Sequence, residues 1–102
     1  MDGELLWDVI LKELSGKGLE LQTKRGYWFR ASSQDKSIQI NNAVEHSPSC
    51  KLSIPRTVIM KDFLNVYPYY HRWSSGAYGI GTEITGKSQK SVYILSLIKR
   101  FL

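Results

Sequence analysis

The apolar residues of this chain change their spacing near residues 16–18, and this change constrains the fold more than any other feature. Over residues 4–14 they recur at every fourth position, as on one face of an α-helix. The apolar face of this segment consists of Leu6, Ile10 and Leu14. Gly16 and Gly18 follow, and glycine accepts the left-handed backbone that commonly ends a helix. Beyond Gly18 the spacing becomes two residues, so we predict an amphipathic helix followed by β-strands.

The two-residue period predicts three short strands, separated by turn-forming stretches. The strands are predicted at residues 19–23, 27–31 and 37–41, with KRG and SSQDK between them. In the second strand Tyr27, Phe29 and Ala31 can face one way, and Trp28 and Arg30 the other. We therefore expect an antiparallel meander whose apolar face is covered by the N-terminal helix.

The middle of the chain predicts a loop, a short strand and a second helix. The loop covers the polar residues 42–51, and a possible fourth strand follows at residues 52–54. A helix is predicted over residues 57–67, with Thr57 as its N-cap and Pro68 directly after its end. The apolar stripe of this helix consists of Ile59, Phe63 and Tyr67.

Residues 68–86 are rich in Tyr, Gly and Ser, and they predict an ordered loop with a short helical turn at 69–73. A last helix follows, capped by Ser88 or a near neighbour. Its apolar stripe consists of Ile94, Leu97, Ile98 and Phe101. The predicted fold is therefore α+β, with an N-terminal helix, a three- to four-stranded antiparallel meander, and two helices separated by an aromatic and glycine-rich loop.

Length and composition limit the class of protein. A chain of 102 residues suffices for one modest core, so we predict a single domain over residues 1–102. Cys50 is the only cysteine, which excludes an internal disulfide and a disulfide-stapled fold. The acidic N-terminus differs from a signal peptide, and no apolar run approaches the ~18 residues of a membrane span. We expect a soluble cytoplasmic protein without a membrane partner.

The residues that most often bind metals or catalyse reactions form no recognisable set. His46, Cys50 and His71 are the strongest candidate ligands, and their spacing matches no zinc site. No carboxylate pair in a strand context has a nearby lysine, as a magnesium-dependent nuclease would need. We therefore predict no metal, no cofactor and no conventional catalytic residue.

Residues 81–88, GTEITGKS, match the pattern of a phosphate-binding P-loop. A P-loop works where a buried strand leads into the glycine loop and a helix leads out of it. The stretch RWSSGAYGI, which precedes the motif, lacks the β-branched run of a central strand. Only residues 89–102 follow the motif, too few to supply further strands of a parallel sheet. We interpret the match as coincidental and predict no nucleotide hydrolysis.

The start of the last helix is still a candidate anion site. Lys87, Ser88 and Lys90 crowd its first turn, where unpaired backbone N–H groups favour a bound phosphate. In the alternative reading, Ser88 is an ordinary helix cap and both lysines are simply solvated.

Two further stretches combine aromatic rings with cations, in a chain whose 14 Lys and Arg against nine Asp and Glu give a net charge of +5. In VYPYYHRW, residues 66–73, Tyr70 and Trp73 can stack on nucleobases while Arg72 meets a phosphate. The same rings could instead close one end of the core.

The outward face of the first two strands is the second such stretch. Lys24, Trp28 and Arg30 lie there in the predicted alternation. They could form a stacking platform, or a surface that another helix or subunit covers.

Three segments carry a resemblance to a known class of proteins. They are LQTKRGYWFRAS, IPRTVIMKDF and SQKSVYILSLI, within residues 19–98. In their order and type they resemble small uncharacterised modules of bacterial accessory and mobile-element genes. The resemblance implies an accessory α+β domain with no established activity, and it assigns no site residue.

Three functions of different classes remain open from the sequence. The first is a non-enzymatic domain that contacts DNA or RNA through the basic and aromatic residues named above. The second is a protein-interaction or homo-oligomerising module that uses the same aromatic surfaces. The third is a small metal-independent ribonuclease, in which His71, Arg72 and Tyr70 would supply acid–base chemistry and charge stabilisation.

Overall fold

The N-terminal helix predicted from the four-residue spacing is present. The computed structural model describes residues 2–74 and 90–102, and its first helix, α1, spans Gly3–Glu13. Gly16 and Gly18 follow the helix with φ angles of +83° and +75°. Both angles lie in the left-handed region, which residues with a Cβ adopt only at a steric cost. The glycines therefore allow the chain to leave the helix and enter the sheet.

Four strands form one antiparallel sheet in the order β1-β2-β3-β4. They are β1 (Leu19–Gln22), β2 (Trp28–Gln34), β3 (Ser37–Asn42) and β4 (Arg56–Val58). Their register places buried residues opposite one another, and the pairs are Leu21 with Phe29, Ala31 with Ile40, and Ile38 with Val58. The predicted meander is confirmed, and its alternation gives the sheet one apolar face.

Helices cover this apolar face. Beside α1 they are α2 (Met60–Val66), a 3₁₀ turn (Tyr67–Tyr69), α3 (Tyr70–Ser74) and α4 (Ser91–Phe101). Fully buried side chains from α1, α2, α4 and the sheet meet in one core. Within it, the rings of Trp7 and Phe63 lie 5.4 Å apart and join α1 to α2. The α+β architecture expected from the sequence is therefore the one observed.

The fourth strand and the second helix begin later than the sequence predicts. Residues 52–54 are not a strand, and Thr57, expected to cap the helix, lies within β4 instead. Val58 pairs with Ile38 and is fully buried, so its position in the sheet outweighs the local helix signal. The helix starts at Met60, where the Asp62 carboxylate accepts a hydrogen bond from the Ile59 N–H at 3.2 Å.

The apolar stripe predicted for the last helix agrees with the observed burial better than the stripe predicted for the second helix. In α2, Phe63 is fully buried, whereas Ile59 lies before the helix and is 47% exposed. In α4, Ile94, Leu97 and Ile98 are fully buried as predicted. The short helical turn expected near residues 69–73 is observed as α3. The GTEITGKS motif, with Lys87 and Ser88, lies outside the described residues.

Within residues 2–74 and 90–102, no helix is long and apolar enough to cross a membrane. In the same part of the chain, every buried side-chain nitrogen and oxygen has a hydrogen-bond partner. In the described fold, hydrogen bonds therefore offset the desolvation of every buried polar side-chain atom.

The two glycines after α1 provide a matched test of the packing between this connection and β2. A Cβ at Gly18 would overlap the Ala31 carbonyl oxygen, whereas a Cβ at Gly16 would meet nothing within 4 Å. Because both φ angles are positive, each substitution by alanine costs about 1 kcal/mol of backbone strain. We expect Gly18→Ala to lower the free energy of unfolding, measured by urea denaturation, by at least about 1 kcal/mol more than Gly16→Ala, because the sheet must also shift. Equal losses in the two variants would contradict the close approach.

Candidate functional site

A pocket of about 720 Å³ lies where the β1–β2 turn, residues 49–51, α3 and the start of α4 meet. Its volume is within the range of roughly 300–1,000 Å³ that is usual for small-molecule sites. Three cations line it, namely Lys24, Arg25 and Lys51, and all three are exposed. The described lining residues include no carboxylate. The rim of this pocket is therefore positively charged.

The β1–β2 turn holds two of these cations at its tip. The Thr23 N–H donates to the Tyr27 carbonyl at 2.8 Å, and the Gly26 N–H donates back to the Thr23 carbonyl at 2.9 Å. Gly26 has a φ of +96°, which the turn requires and glycine tolerates. Lys24 and Arg25 lie between these bonds, so a short, internally bonded turn presents both charges.

Aromatic rings form part of the wall. Trp73, from α3, is half-buried, and the Lys24 ammonium lies 5.0 Å from the centre of its ring. The ring of Tyr70 lies 6.0 Å from that of Trp73 at a tilt of 39° and supports it from within α3. Tyr27, expected on the core side of its strand, is 47% exposed and lines the pocket. Rings and cations thus share one surface.

The less exposed side of the pocket is neutral. Burial raises the pKa of the Cys50 thiol. Burial, together with the nearby Cys50 sulfur, also raises the pKa of the Tyr93 hydroxyl. Tyr93 packs edge-on against Phe29 of the core, with their ring centres 5.1 Å apart, and the buried Leu95 also lines the pocket. At neutral pH both titratable groups keep their protons, so these described residues of the inner wall offer weak donors and apolar surface but no charge.

Backbone pairing holds the segment that carries Cys50. The Trp28 N–H donates to the Pro48 carbonyl, and the Cys50 N–H donates to the Trp28 carbonyl, each at 2.8 Å. The Asn42 side chain donates to the Leu52 carbonyl at 3.1 Å and accepts from the Leu52 N–H at 2.7 Å. The stretch predicted as a plain polar loop is therefore fixed to the end of the sheet.

The carboxylate of Glu20 organises the first part of this loop. Its side chain is only 2% exposed. It accepts hydrogen bonds from the backbone N–H groups of Val44, Glu45 and His46 at 2.7, 2.9 and 2.9 Å. The Arg30 guanidinium donates to it at 3.0 Å. One side chain of β1 thus receives three consecutive N–H groups from a loop more than 20 residues away.

These hydrogen bonds change the acidity of Glu20. Burial of the carboxylate raises its pKa, but the N–H groups of residues 44–46 and the His46 ring together outweigh burial and lower the pKa from 4.5 to about 2. Hydrogen bonds of this kind stabilise the charged form. Glu20 is therefore ionised throughout the neutral and mildly acidic range, and the loop remains bonded to it.

Most predicted site residues lie away from the pocket. Arg30 pairs with Glu20 and with Glu45, at 3.0 and 3.4 Å, and Trp28 stacks on the His46 ring at 4.0 Å. For the outward face of Lys24, Trp28 and Arg30, the sequence left open a stacking platform or a surface covered by another helix or subunit. Trp28 and Arg30 instead contact His46 and Glu45 of the same chain, whereas Lys24 is exposed.

The remaining predicted residues divide between the pocket and other contacts. Lys24 and Trp73 are brought together at the pocket. The Lys90 ammonium lies 3.1 Å from the Asp62 carboxylate, and the Arg72 guanidinium lies over the Tyr69 ring at 5.9 Å. Arg25, Lys51, Tyr27 and Tyr93 were not predicted as site residues; of these, Arg25 could have been found from the KRG turn that also carries Lys24.

One group of potential metal ligands occurs in the described ranges. It consists of Glu20, Glu45 and His46, whose ligand atoms lie within 4.8 Å of one another. Both oxygens of Glu20 already accept hydrogen bonds, and the Arg30 charge lies against the same carboxylate. The cluster is therefore explained by the packing of the loop on the sheet, and we assign it no metal.

No family model matches this chain, and no curated protein or solved structure does so either.

Titration of Glu20 should appear in the pH dependence of stability. Because its pKa is lowered on folding, its contribution to stability is complete above the unfolded value of 4.5 and is lost as pH falls toward 2. We expect Glu20→Gln to be less stable than the unmodified chain at pH 7, and the difference in free energy of unfolding to shrink between pH 5 and about 2. Urea denaturation at a series of pH values measures both quantities.

Glu4→Gln, at an exposed carboxylate in the first turn of α1, is the control for this experiment. Its difference from the unmodified chain should change much less over the same pH range. A Glu20→Gln difference that stays constant from pH 7 to pH 2 would contradict the role given to the carboxylate.

Proposed function

We propose that this chain is a small non-enzymatic domain that binds single-stranded nucleic acid, DNA or RNA, at the pocket and its cationic rim. The observation that carries the proposal is the grouping of Lys24, Arg25 and Lys51 around a pocket walled by Tyr27 and Trp73, with no carboxylate among its described lining residues. The proposed setting is the cytoplasm, where a lone thiol such as that of Cys50 stays reduced.

The rim suits a strand of phosphates. Each phosphate neutralised by a lysine or arginine releases condensed counterions, and this release drives much of the affinity of proteins for nucleic acids. Lys24 and Arg25 belong to one turn and Lys51 to another segment, so two segments of the chain supply the cations that line the pocket. The net charge of +5 adds a long-range attraction of the same sign.

The aromatic wall suits unpaired bases. Bases in a single strand expose their faces, and stacking on aromatic side chains contributes to binding with little dependence on sequence. In a duplex the faces are already stacked on neighbouring bases. The pairing of Trp73 and Tyr27 with the rim therefore supports a single strand over a duplex as the ligand.

Charge substitution at the rim tests this function. We expect Lys24→Gln/Arg25→Gln/Lys51→Gln to weaken binding to a mixed-sequence single-stranded oligonucleotide, measured by fluorescence anisotropy at low salt. The slope of log K against log salt should become shallower by about 0.7 for each lost phosphate contact, and so by about 2 in the triple variant. DNA and RNA strands of the same sequence should be measured in parallel.

The matched control is Lys12→Gln/Lys36→Gln/Lys99→Gln. These three lysines are exposed and do not line the pocket, and their loss lowers the net charge by the same three units. We expect the control to keep most of the affinity and nearly the full salt slope. Equal weakening in both triple variants, or no binding of either nucleic acid by the unmodified chain at low salt, would refute the proposal.

A further inference from the structure

We propose that the pocket accepts a single nucleobase of the bound strand, and that Lys24 leaves the ring of Trp73 to contact the adjoining phosphate when the base enters. This inference rests on the proposed function, and it specifies which part of the nucleic acid the site recognises. It also distinguishes the pocket from a merely electrostatic surface, which would engage phosphates alone.

The shape and chemistry of the pocket divide it into two zones. The exposed lining residues include the three cations, whereas Cys50, Tyr93 and Leu95 are half-buried or buried and carry no charge at neutral pH. A nucleotide has the same division, with a planar, uncharged base at one end and an anionic phosphate at the other. A volume of about 720 Å³ accommodates one such unit without requiring a duplex to enter.

The contact between Lys24 and Trp73 is exchangeable. The lysine is exposed, and its ammonium lies 5.0 Å from the ring centre, as in a cation–π pair. A base stacked on that ring would occupy the position of the ammonium and bring a phosphate within its reach. Lys24 would then replace a contact with a ring by one with a full negative charge, so the base and the phosphate would bind together.

Hydroxyl groups in the lining can contact the base edge. The Thr23 oxygen accepts a hydrogen bond from the Tyr27 N–H at 3.3 Å, which leaves its own proton for a ligand. The Tyr93 hydroxyl keeps its proton and can also donate. Ser49 is already committed, because it donates to the Cys50 carbonyl at 2.8 Å and accepts from the Ala43 N–H at 2.9 Å. The hydroxyls of Thr23 and Tyr93 thus give the lining two donors, which suit the carbonyl and ring-nitrogen acceptors of a base.

Cys50 provides a direct readout of base entry. It is the only cysteine in the chain and lies in the pocket lining, so alkylation by iodoacetamide reports on access to this wall alone. The experiment compares an oligothymidylate with an abasic deoxyribose-phosphate strand of the same length. Binding is followed by anisotropy, and alkylation of Cys50 is followed by mass spectrometry with each strand at saturation.

We expect the oligothymidylate to slow alkylation at least about fivefold, and the abasic strand to bind more weakly and leave the rate nearly unchanged. Trp73→Ala should weaken binding of the oligothymidylate by about 5- to 150-fold, which corresponds to one lost base stack, and should barely affect the abasic strand. The alkylation comparison uses the unmodified chain, so it stands even if the Trp73 variant does not fold.

The outcomes separate this inference from the function on which it rests. If both strands bind equally and neither protects Cys50, the pocket does not take a base, and the cationic rim alone explains binding. Protection by both strands to the same degree would also overturn the inference, because phosphates would then cover the pocket. If neither strand binds at low salt, the proposed function itself fails.

Discussion

The carboxylate of Glu20 is the constraint on which the candidate site depends. It lies almost fully buried on β1 and accepts hydrogen bonds from three consecutive N–H groups of the loop that follows β3. Asn42 fixes the other end of the same loop by pairing with Leu52. Between these anchors the chain pairs with Trp28 and brings Cys50 and Lys51 to one wall of the pocket. Without this side chain the three N–H groups of the loop would lose their acceptor.

The alternation of β2 connects the loop to the core. Phe29 faces the core and supports Tyr93, which lines the pocket. The neighbouring residues Trp28 and Arg30 face outward, where one stacks on His46 and the other pairs with Glu20. A single strand thus positions the inner wall of the pocket through one face and holds the covering loop through the other.

The sequence predicts those parts of the fold that depend on local spacing. Helix α1, the first three strands and α4 follow from periods of four and two residues, which burial on one face imposes. The start of β4 was misjudged because Val58 is positioned by Ile38, a partner 20 residues away in the chain. Of the residues that line the pocket, Lys24 and Trp73 were predicted as site residues from their residue types. The role of Glu20 was not, because three of the groups that donate to it are backbone N–H groups 24 to 26 residues away, and the sequence gives no sign of them.

In the proposed function, nucleic acid binds at the pocket and not elsewhere on a basic surface. Backbone amide NMR spectra, recorded while a single-stranded oligonucleotide is added to the protein, test this claim most directly. The largest shifts should fall on residues 23–27, residues 49–51, Trp73 and Tyr93. Shifts concentrated instead on the exposed side of α1 or on β4, with these positions unchanged, would contradict the account.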